Sequence, residues 1–418
     1  MTNAFKNLFL AVIQITKGSR LYYGWLVFLS FFIVSALYFY FTYQFQHGMI
    51  ETAMRDQVSW GFYIANFTFL VGVAAAAVLL VIPAYVYHFK PIKEIVLFGE
   101  ILAITAIIMC LLFVTLDLGR PERALHILPP PIGRMNFPIS MLSWDVVVLN
   151  GYLILNSLAV GYVLYSLAKG EEYKTSVMWP IVVVSIPWAF SIHTVTAFLY
   201  AGLSARSFWN TAVLPPRFIA SALCSGPALM LIIFQIIRKV SQIEITDRAI
   251  FKIAELIAYA IAVNLFLFFA EVFTEFYAST HHVVHIKYLY FGLGEVSSHL
   301  SIIVWIALLC NILAFALFLT RRTREDFVYL NIACVLVFMG VYLEKGMGLV
   351  VPGFIPGTLG EIYKYMPSKY EMAITVGVWA VGAMVFTFFV KITIPLYLGK
   401  FTGKKEIKPY SASASITG

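Results

Sequence analysis

The sequence predicts an all-α integral membrane protein of about ten transmembrane helices, with both termini in the cytoplasm. Three observations carry this. Of 418 residues 61% are hydrophobic and only 12% are charged, whereas about a quarter of a soluble domain is charged. The apolar residues gather in runs of about 20 or more, each long enough, at about 1.5 Å per residue, to cross a hydrocarbon core of about 30 Å. Lys and Arg lie in short clusters between these runs, where they set orientation.

In chain order, residues 1–20, "MTNAFKNLFLAVIQITKGSR", mix bases with an amphipathic run and lack a small-residue cleavage site before the first full span. They read as a retained interfacial segment, not a signal peptide. Spans 1 to 10 are expected at 21–43, 59–87, 93–116, 141–167, 177–201, 217–238, 252–278, 289–319, 327–344 and 372–398, forming a membrane domain over 21–398 with a cytoplasmic tail at 399–418. Nineteen of the 29 Lys and Arg residues fall at the termini and in the loops after spans 2, 4, 6 and 8, and 10 in the other five loops. That excess puts both ends in the cytoplasm. The loops on that side are short and basic, while the opposite side carries the long connections 117–140, 202–216 and 345–371, where function is expected. Two of these, "LPPPIGRMNFPISMLSW" and "LPPRFIASALCSG", echo one another and hint at repeated helical modules.

The formal charge of +8 is spread over loop clusters and does not suggest nucleic acid. Cys110, Cys224, Cys310 and Cys334 sit singly within apolar runs, so the chain offers no cysteine motif for an iron–sulfur cluster or structural zinc. Of eight histidines only His193 and His299 lie well inside spans, which makes a bis-histidine haem site a poor expectation. "HHVVH" at 281–285 puts His281 and His285 one turn apart but lacks an acidic third ligand, and reads as an interfacial turn.

Ionisable and polar groups inside spans are costly and default to functional candidates. With both ends cytoplasmic, Asn66, Trp144, Asp145, Tyr152, Glu271, Glu275, Glu295, His299 and Glu344 fall in the outer half, and His193 near mid-depth. Glu100, Glu255, Asn150, Asn156 and Asn264 fall in the inner half, Glu100 and Glu255 reading as interfacial. A polar pocket opening near the outer face is therefore expected. Glu271 and Glu275 lie four apart on one helix face, where paired carboxylates suit proton handling; Glu344 and His299 join them as candidates. For each of these the plain alternative is a helix-packing hydrogen bond or an ion pair.

At "LDLGRPER", residues 116–123, the chain resembles the NrfD or polysulfide-reductase membrane-subunit family, whose first core hairpin carries a D-L-G-R-P turn. Further matches are "WGFYIANFTFLVGVAAAAVLL" at 60–80, "SIHTVTAFLYAGL" at 191–203, "FAEVFTEFY" at 269–277 and "GVYLEKGMGLVVPGF" at 340–354, which together cover almost the whole chain. Ten spans rather than eight resemble the longer branch of the family. The wording of spans 2 and 9 is most similar to its DsrP type, the quinone-interacting subunit of DsrMKJOP complexes of sulfur metabolism. One stretch departs from the long branch: where the membrane subunits of alternative complex III carry G-H-A-G, this chain has Gly72, Val73, Ala74 and Ala75. A quinone contact at that histidine cannot be carried over.

The resemblance implies a haem-free subunit in the cytoplasmic membrane that exchanges electrons between menaquinol or menaquinone and a periplasmic iron–sulfur partner. It further implies a ferredoxin-like periplasmic subunit, a multihaem cytochrome c, a haem-b membrane subunit and a cytoplasmic iron–sulfur subunit as partners. Quinol oxidation releases protons, so a pocket needs an apolar slot, hydrogen-bond donors and an acid or base. His193 and Asp117 are the expected proton acceptors; Asn66, Arg120, Trp144, Asp145 and Tyr152 are expected to orient the ring or its neighbours. Two other readings stay open on the sequence. A secondary transporter would use broken midplane helices, and a structural anchor would lack a working quinone site.

Overall fold

The computed structural model describes residues 3–278, 283–293, 300–357 and 359–402. Among the described residues regular structure is helical, apart from an isolated bridge between Arg55 and Val58. Ten helices are long and apolar enough to cross a bilayer: Arg20–Glu51, Phe62–Val86, Val96–Asp117, Met141–Lys169, Thr175–Ala201, Leu214–Val240, Asp247–Ala278, Ser301–Leu319, Phe327–Gly353 and Lys369–Tyr397, here spans 1 to 10. One bound differs from the sequence expectation in a way that matters. Instead of span 8 starting at residue 289, a separate helix, Val283–Phe291, precedes it and span 8 begins at Ser301. The α-helix of span 9 ends at Lys345, close to the expected bound, and Gly346 breaks it before two short turns, Met347–Val350 and Val351–Gly353, complete the span.

Consecutive spans close into rings. Spans 2, 3, 4 and 5 pack each against the next, and 5 returns to 2; spans 6, 7, 8 and 9 do the same, 9 returning to 6. Each ring is an up-down-up-down four-helix bundle, the arrangement that short connections favour. The echo between residues 128–144 and 214–226 does not mark this repeat, because the first leads into the third helix of one bundle and the second into the first helix of the other. Spans 1 and 10 pair with one another, and span 10 leans on span 3. The N-terminal helix, Asn3–Ile13, packs on spans 4 and 10, and Asn7 donates from Nδ2 to the Ala168 carbonyl at 2.8 Å. With an even number of spans, the start of span 1 and the end of span 10 share a face, where Lys391 Nζ donates to the Lys17 carbonyl at 2.7 Å. We call this the terminal face and its opposite the distal face.

Burying apolar surface against lipid-like neighbours contributes little in a bilayer, so close packing and hydrogen bonds between spans must hold the bundles together. The junction shows both. Spans 2 and 6 cross on small residues: a Cβ added at Gly226 would stand 2.1 Å from Ala76 Cβ and 3.3 Å from Val73 Cα. The Gly72–Ala75 stretch, which departs from the long-branch pattern, is thus part of the contact between bundles. Across the junction Tyr342 Oη of span 9 donates to Asn66 Oδ1 of span 2 at 3.1 Å, and within the second bundle Gln235 and Asn331 exchange hydrogen bonds of 2.7 and 3.1 Å between spans 6 and 9.

Helix ends are capped where the sequence provides the cap. Asp326 accepts from Val328 and Tyr329 N–H at the start of span 9, and Ser368 with Glu371 forms a reciprocal capping box on span 10. Span 1 contains a π-helical turn over Tyr40–Gln44, and Gln44 is buried there, against span 2 and the end of span 3.

Candidate functional site

On the distal face the long loops and span ends form a bonded collar. Gln44 accepts from Tyr63 Oη at 2.7 Å and donates to the Leu116 carbonyl at 2.8 Å, fastening span 1 to spans 2 and 3. The fully buried Glu371 accepts from Ala53 N, Ser368 N and Tyr365 Oη, each at 2.8 Å, and Tyr365 Oη accepts in turn from Phe62 N at 2.7 Å. Burial, and then the Glu371 carboxylate, push the Tyr365 hydroxyl well above its ordinary range, so it stays a donor at physiological pH. Asp117, the last residue of span 3, lies within electrostatic reach of Glu371, and its Oδ1 is buried without a hydrogen-bond partner.

The D-L-G-R-P turn follows directly. Leu118 is extended, and Pro121 opens a short 3-10 helix through Ile127, so the chain leaves span 3 abruptly. Arg120 is exposed and pairs with Glu122 at 3.5 Å. Thus the two charged residues of the motif separate, Asp117 facing the interior and Arg120 the surface. Gly119, Arg120 and Glu122 line a cleft with Tyr40, Gln44 and His47 of span 1.

Deeper in the first bundle, Asp145 on span 4 accepts from Thr196 Oγ1 on span 5 at 2.8 Å. Tyr152 and Asn156 continue the buried face of span 4, Asn156 Nδ2 donating to the Tyr152 carbonyl at 2.8 Å. His193 on span 5 is 2% exposed, and neither ring nitrogen has a hydrogen-bond partner. Lys345 of the second bundle lies within its electrostatic reach. Two turns nearer the distal face, Tyr200 meets Thr68 hydroxyl to hydroxyl at 2.5 Å, and its ring packs with Trp60, Trp209 and Phe218. The result is an aromatic lid over a polar interior.

Not every residue singled out in the sequence joins this interior. Asn66 is buried, but its oxygen accepts from Tyr342 Oη at 3.1 Å and Trp379 Nε1 at 2.9 Å, so it ties span 2 to spans 9 and 10. Trp144 is 36% exposed, with its indole N–H on the Pro138 carbonyl at 2.8 Å and its ring against Phe137. Glu255 pairs with Lys252 at 3.1 Å near the terminal face, as an interfacial residue should. Glu100 departs from its interfacial expectation: it is 3% exposed and its Oε2 has no partner, because span 3 is covered by spans 2, 4 and 10.

The second bundle holds a different cluster. Arg217 on span 6 pairs with Glu271 on span 7 and, at 2.6 Å, with Glu344 on span 9; Asn311 Nδ2 on span 8 donates to the other Glu344 oxygen at 2.7 Å. One residue further, Lys345 is 5% exposed and donates to the Phe218 carbonyl at 2.8 Å. Arg217, Glu271, Glu344 and Lys345 line one cleft with Phe208, Phe268 and Tyr290. Glu275 is half-buried one turn beyond Glu271. Sequence reasoning missed Arg217 and Lys345, which read there as charges at span ends. The available signal was a pair of bases flanking apolar runs that contain unmatched carboxylates. His281, His282, Glu295 and His299 lie outside the described residues. His285 is hydrogen-bonded through Nδ1 to the Pro352 carbonyl at 2.9 Å.

The four cysteines are free thiols on spans 3, 6, 8 and 9. Comparison with known proteins bears directly on this architecture. The family model "Polysulphide reductase, NrfD" matches residues 50–355. The chain is 28% identical to a putative dimethyl sulfoxide reductase membrane subunit of Halobacterium salinarum, over 87% of this chain and 89% of the relative. It is 24% identical to a selenate reductase subunit of Mesobacillus selenatarsenatis, over 93% and 96% of the two chains. It is also 24% identical to an Hdr-like menaquinol oxidoreductase integral membrane subunit of Archaeoglobus fulgidus, over 86% and 90%. With the family model covering most of a ten-span helical chain, this protein belongs to the NrfD family of polysulfide-reductase-type membrane subunits.

Proposed function

We propose that the chain is the quinone-interacting membrane subunit of a respiratory redox complex in the cytoplasmic membrane. On this reading it exchanges electrons between menaquinol or menaquinone and an iron–sulfur partner docked on the distal face, with both termini cytoplasmic. One observation carries it: His193 is buried with both ring nitrogens unpartnered beneath an aromatic lid. Buried polar groups are almost always hydrogen-bonded, so an orphaned imidazole in a dry interior asks for a ligand or a water. The relative named as a menaquinol oxidoreductase subunit supports the choice of ligand.

A bound menaquinol supplies two electrons and two protons on oxidation. His193 takes a proton at a ring nitrogen at the floor of the pocket, roughly 12 Å below the end of its span by helical rise. Asp117 sits at the mouth and exchanges a proton through its unpartnered Oδ1. Asp145, held by Thr196, and Tyr152 line the interior on span 4 and orient the ring or its neighbours. Trp60, Tyr200 and Trp209 exclude water from above. Asn66 and Trp144 act at one remove, by fixing spans 2 and 4, and Arg120 and Glu122 present charge to a docking partner. Glu271, Glu275, Glu344 and His299 are proposed to handle protons.

The finer assignment is a role in sulfur metabolism beside a ferredoxin-like periplasmic subunit, a multihaem cytochrome c, a haem-b membrane subunit and a cytoplasmic iron–sulfur subunit. It rests on the DsrP-type wording of spans 2 and 9. The test uses intact complex. His193→Ala and Asp117→Asn are expected to leave assembly unchanged and to slow quinol-linked electron transfer at least about tenfold, since a positioned acid or base contributes about 10²–10⁴. Normal turnover in both variants overturns the site. Cysteine placed at Ser207 is expected to label from outside, and at Ser176 only after permeabilisation; labelling of Ser176 from outside overturns the orientation.

A further inference from the structure

Where span 1 ends against the D-L-G-R-P turn, a cleft of about 440 Å³ opens on the distal face. Its size is within the range of about 300–1,000 Å³ typical of small-molecule sites. The π-helical turn over Tyr40–Gln44 shapes one wall and residues 118–122 the other. Its charges cancel locally: Arg120 pairs with Glu122 at 3.5 Å, and His47 Nδ1 lies 3.0 Å from Glu51 Oε1. A neutral ligand therefore suits it better than an ion. Tyr40 and Phe45 line the cleft with ring centres 6.0 Å apart, and Phe45 is also 55% exposed on the outer surface of span 1, beside the exposed Phe41. In a bilayer that side of span 1 meets lipid, so an amphiphile dissolved in the membrane reaches the cleft without crossing water.

Gln44 belongs to both sides of the inner wall. It lines the cleft, donates to the Leu116 carbonyl at 2.8 Å and accepts from Tyr63 Oη at 2.7 Å. Behind it Tyr63 rests on Phe113, ring centres 6.4 Å apart, both fully buried in the first bundle. Phe113 and Asp117 lie four apart on one face of span 3, and Asp117 stands at the mouth of the quinone pocket.

We propose that this cleft is the entry to that pocket: an isoprenoid quinol leaves the bilayer between Tyr40 and Phe45, rests its ring in the cleft, and passes into the first bundle when the Gln44 side chain swings off Tyr63 and Leu116. This rests on the reading of the first bundle as a quinone pocket. The Tyr40 hydroxyl and the Gln46 amide at the cleft supply polar groups for the ring oxygens. Two neutral hydrogen bonds to Tyr63 and Leu116 hold Gln44 in place, each of modest net strength, so it can open without unfolding either span. Because span 1 lies outside both bundles, the entry can be blocked without touching the residues that hold the ring.

The test blocks the cleft and times the traffic through it. Gly119 lines the cleft, and a Cβ added there meets Met49 Cγ at an ordinary 3.7 Å, so Gly119→Leu fills the space without a backbone clash. Gln46→Trp narrows the mouth from an exposed position and decides the matter should Gly119→Leu fail to assemble. Binding and release of the fluorescent quinol analogue 2-heptyl-4-hydroxyquinoline N-oxide by the intact complex are followed by stopped flow, with His193→Ala as the comparison. A blocked entry slows both directions alike, because the bound state is untouched. Association and dissociation are each expected to fall at least about tenfold, with Kd within about twofold of wild type. Unchanged rates in the assembled blocking variants overturn the entry and leave the quinone site standing. Weakened equilibrium binding assigns the cleft to holding the ring, and loss of the iron–sulfur partner assigns it to docking; either overturns the entry. Normal turnover and analogue binding in His193→Ala overturn the quinone site, and the entry with it.

Discussion

The two four-helix bundles carry polar groups at comparable depths yet treat them in opposite ways. In the second bundle Arg217, Glu271 and Glu344 pair their charges across three helices, with Asn311 Nδ2 donating from a fourth although its own Oδ1 lacks a partner, in a cleft where each of the three charged side chains keeps 14–16% of its exposure. In the first, His193 and Asp117 keep buried atoms without any partner, under a closed aromatic lid. A satisfied cluster holds helices together, and breaking it leaves charges stranded. Unpaired atoms contribute no such bond, so the protein gives up stability at those positions, as functional sites do. Removing groups from the two clusters should therefore affect stability and turnover differently.

The largest effect is expected where the bundles join. Gly226→Val puts a branched side chain where even a Cβ meets Ala76 Cβ, and backbone on both sides prevents relief. The expected result is no recoverable folded protein, read as loss of the monodisperse peak in detergent; normal recovery would show that the bundles do not need this crossing.

Next comes Arg217→Leu, which strands Glu271 and Glu344 side by side. Removing one partner of a buried ion pair costs about 3–5 kcal/mol, expected as a large fall in the thermal aggregation midpoint of purified complex. An unchanged midpoint would break the contrast between the bundles. His193→Leu should do the reverse: a midpoint at or above that of wild type, because no hydrogen bond is lost, with turnover down at least about tenfold. If stability falls as far as in Arg217→Leu, His193 is a structural residue.

The smallest effect is expected at Glu255→Gln. Glu255 pairs with Lys252 near the terminal face, far from either cluster, and a surface pair of this kind contributes at most about 1 kcal/mol. Turnover changed by more than about twofold would draw the terminal face into the mechanism.

Much of the fold is legible in the chain itself. Span 3 ends at Asp117 because "DLGRP" turns the chain there, and Ser368 with Glu371 caps span 10, as local chemistry dictates. The candidate site is less legible. Asn66 has the same composition-level claim to function as His193, yet its oxygen is taken by Tyr342 and Trp379, residues 276 and 313 positions away. Arg217 and Lys345 look like boundary charges and do stand at helix ends; what the sequence hides is that their partners lie on other spans.

The number of spans, their approximate lengths, the face on which the long loops lie and the family follow from consecutive residues alone, since bilayer thickness and local turn chemistry act along the chain. How the spans close into two bundles, that Asp117 and Arg120 part company, and that Lys345 reaches the Phe218 carbonyl of span 6 are set instead by packing in three dimensions. The reason is geometric. Inside a bilayer every span is apolar on most of its surface, so periodicity does not tell a lipid-facing side from a partner-facing one. The facing side is set by which small residues let two helices approach, as Gly72 and Gly226 do, and by which polar atoms then find each other.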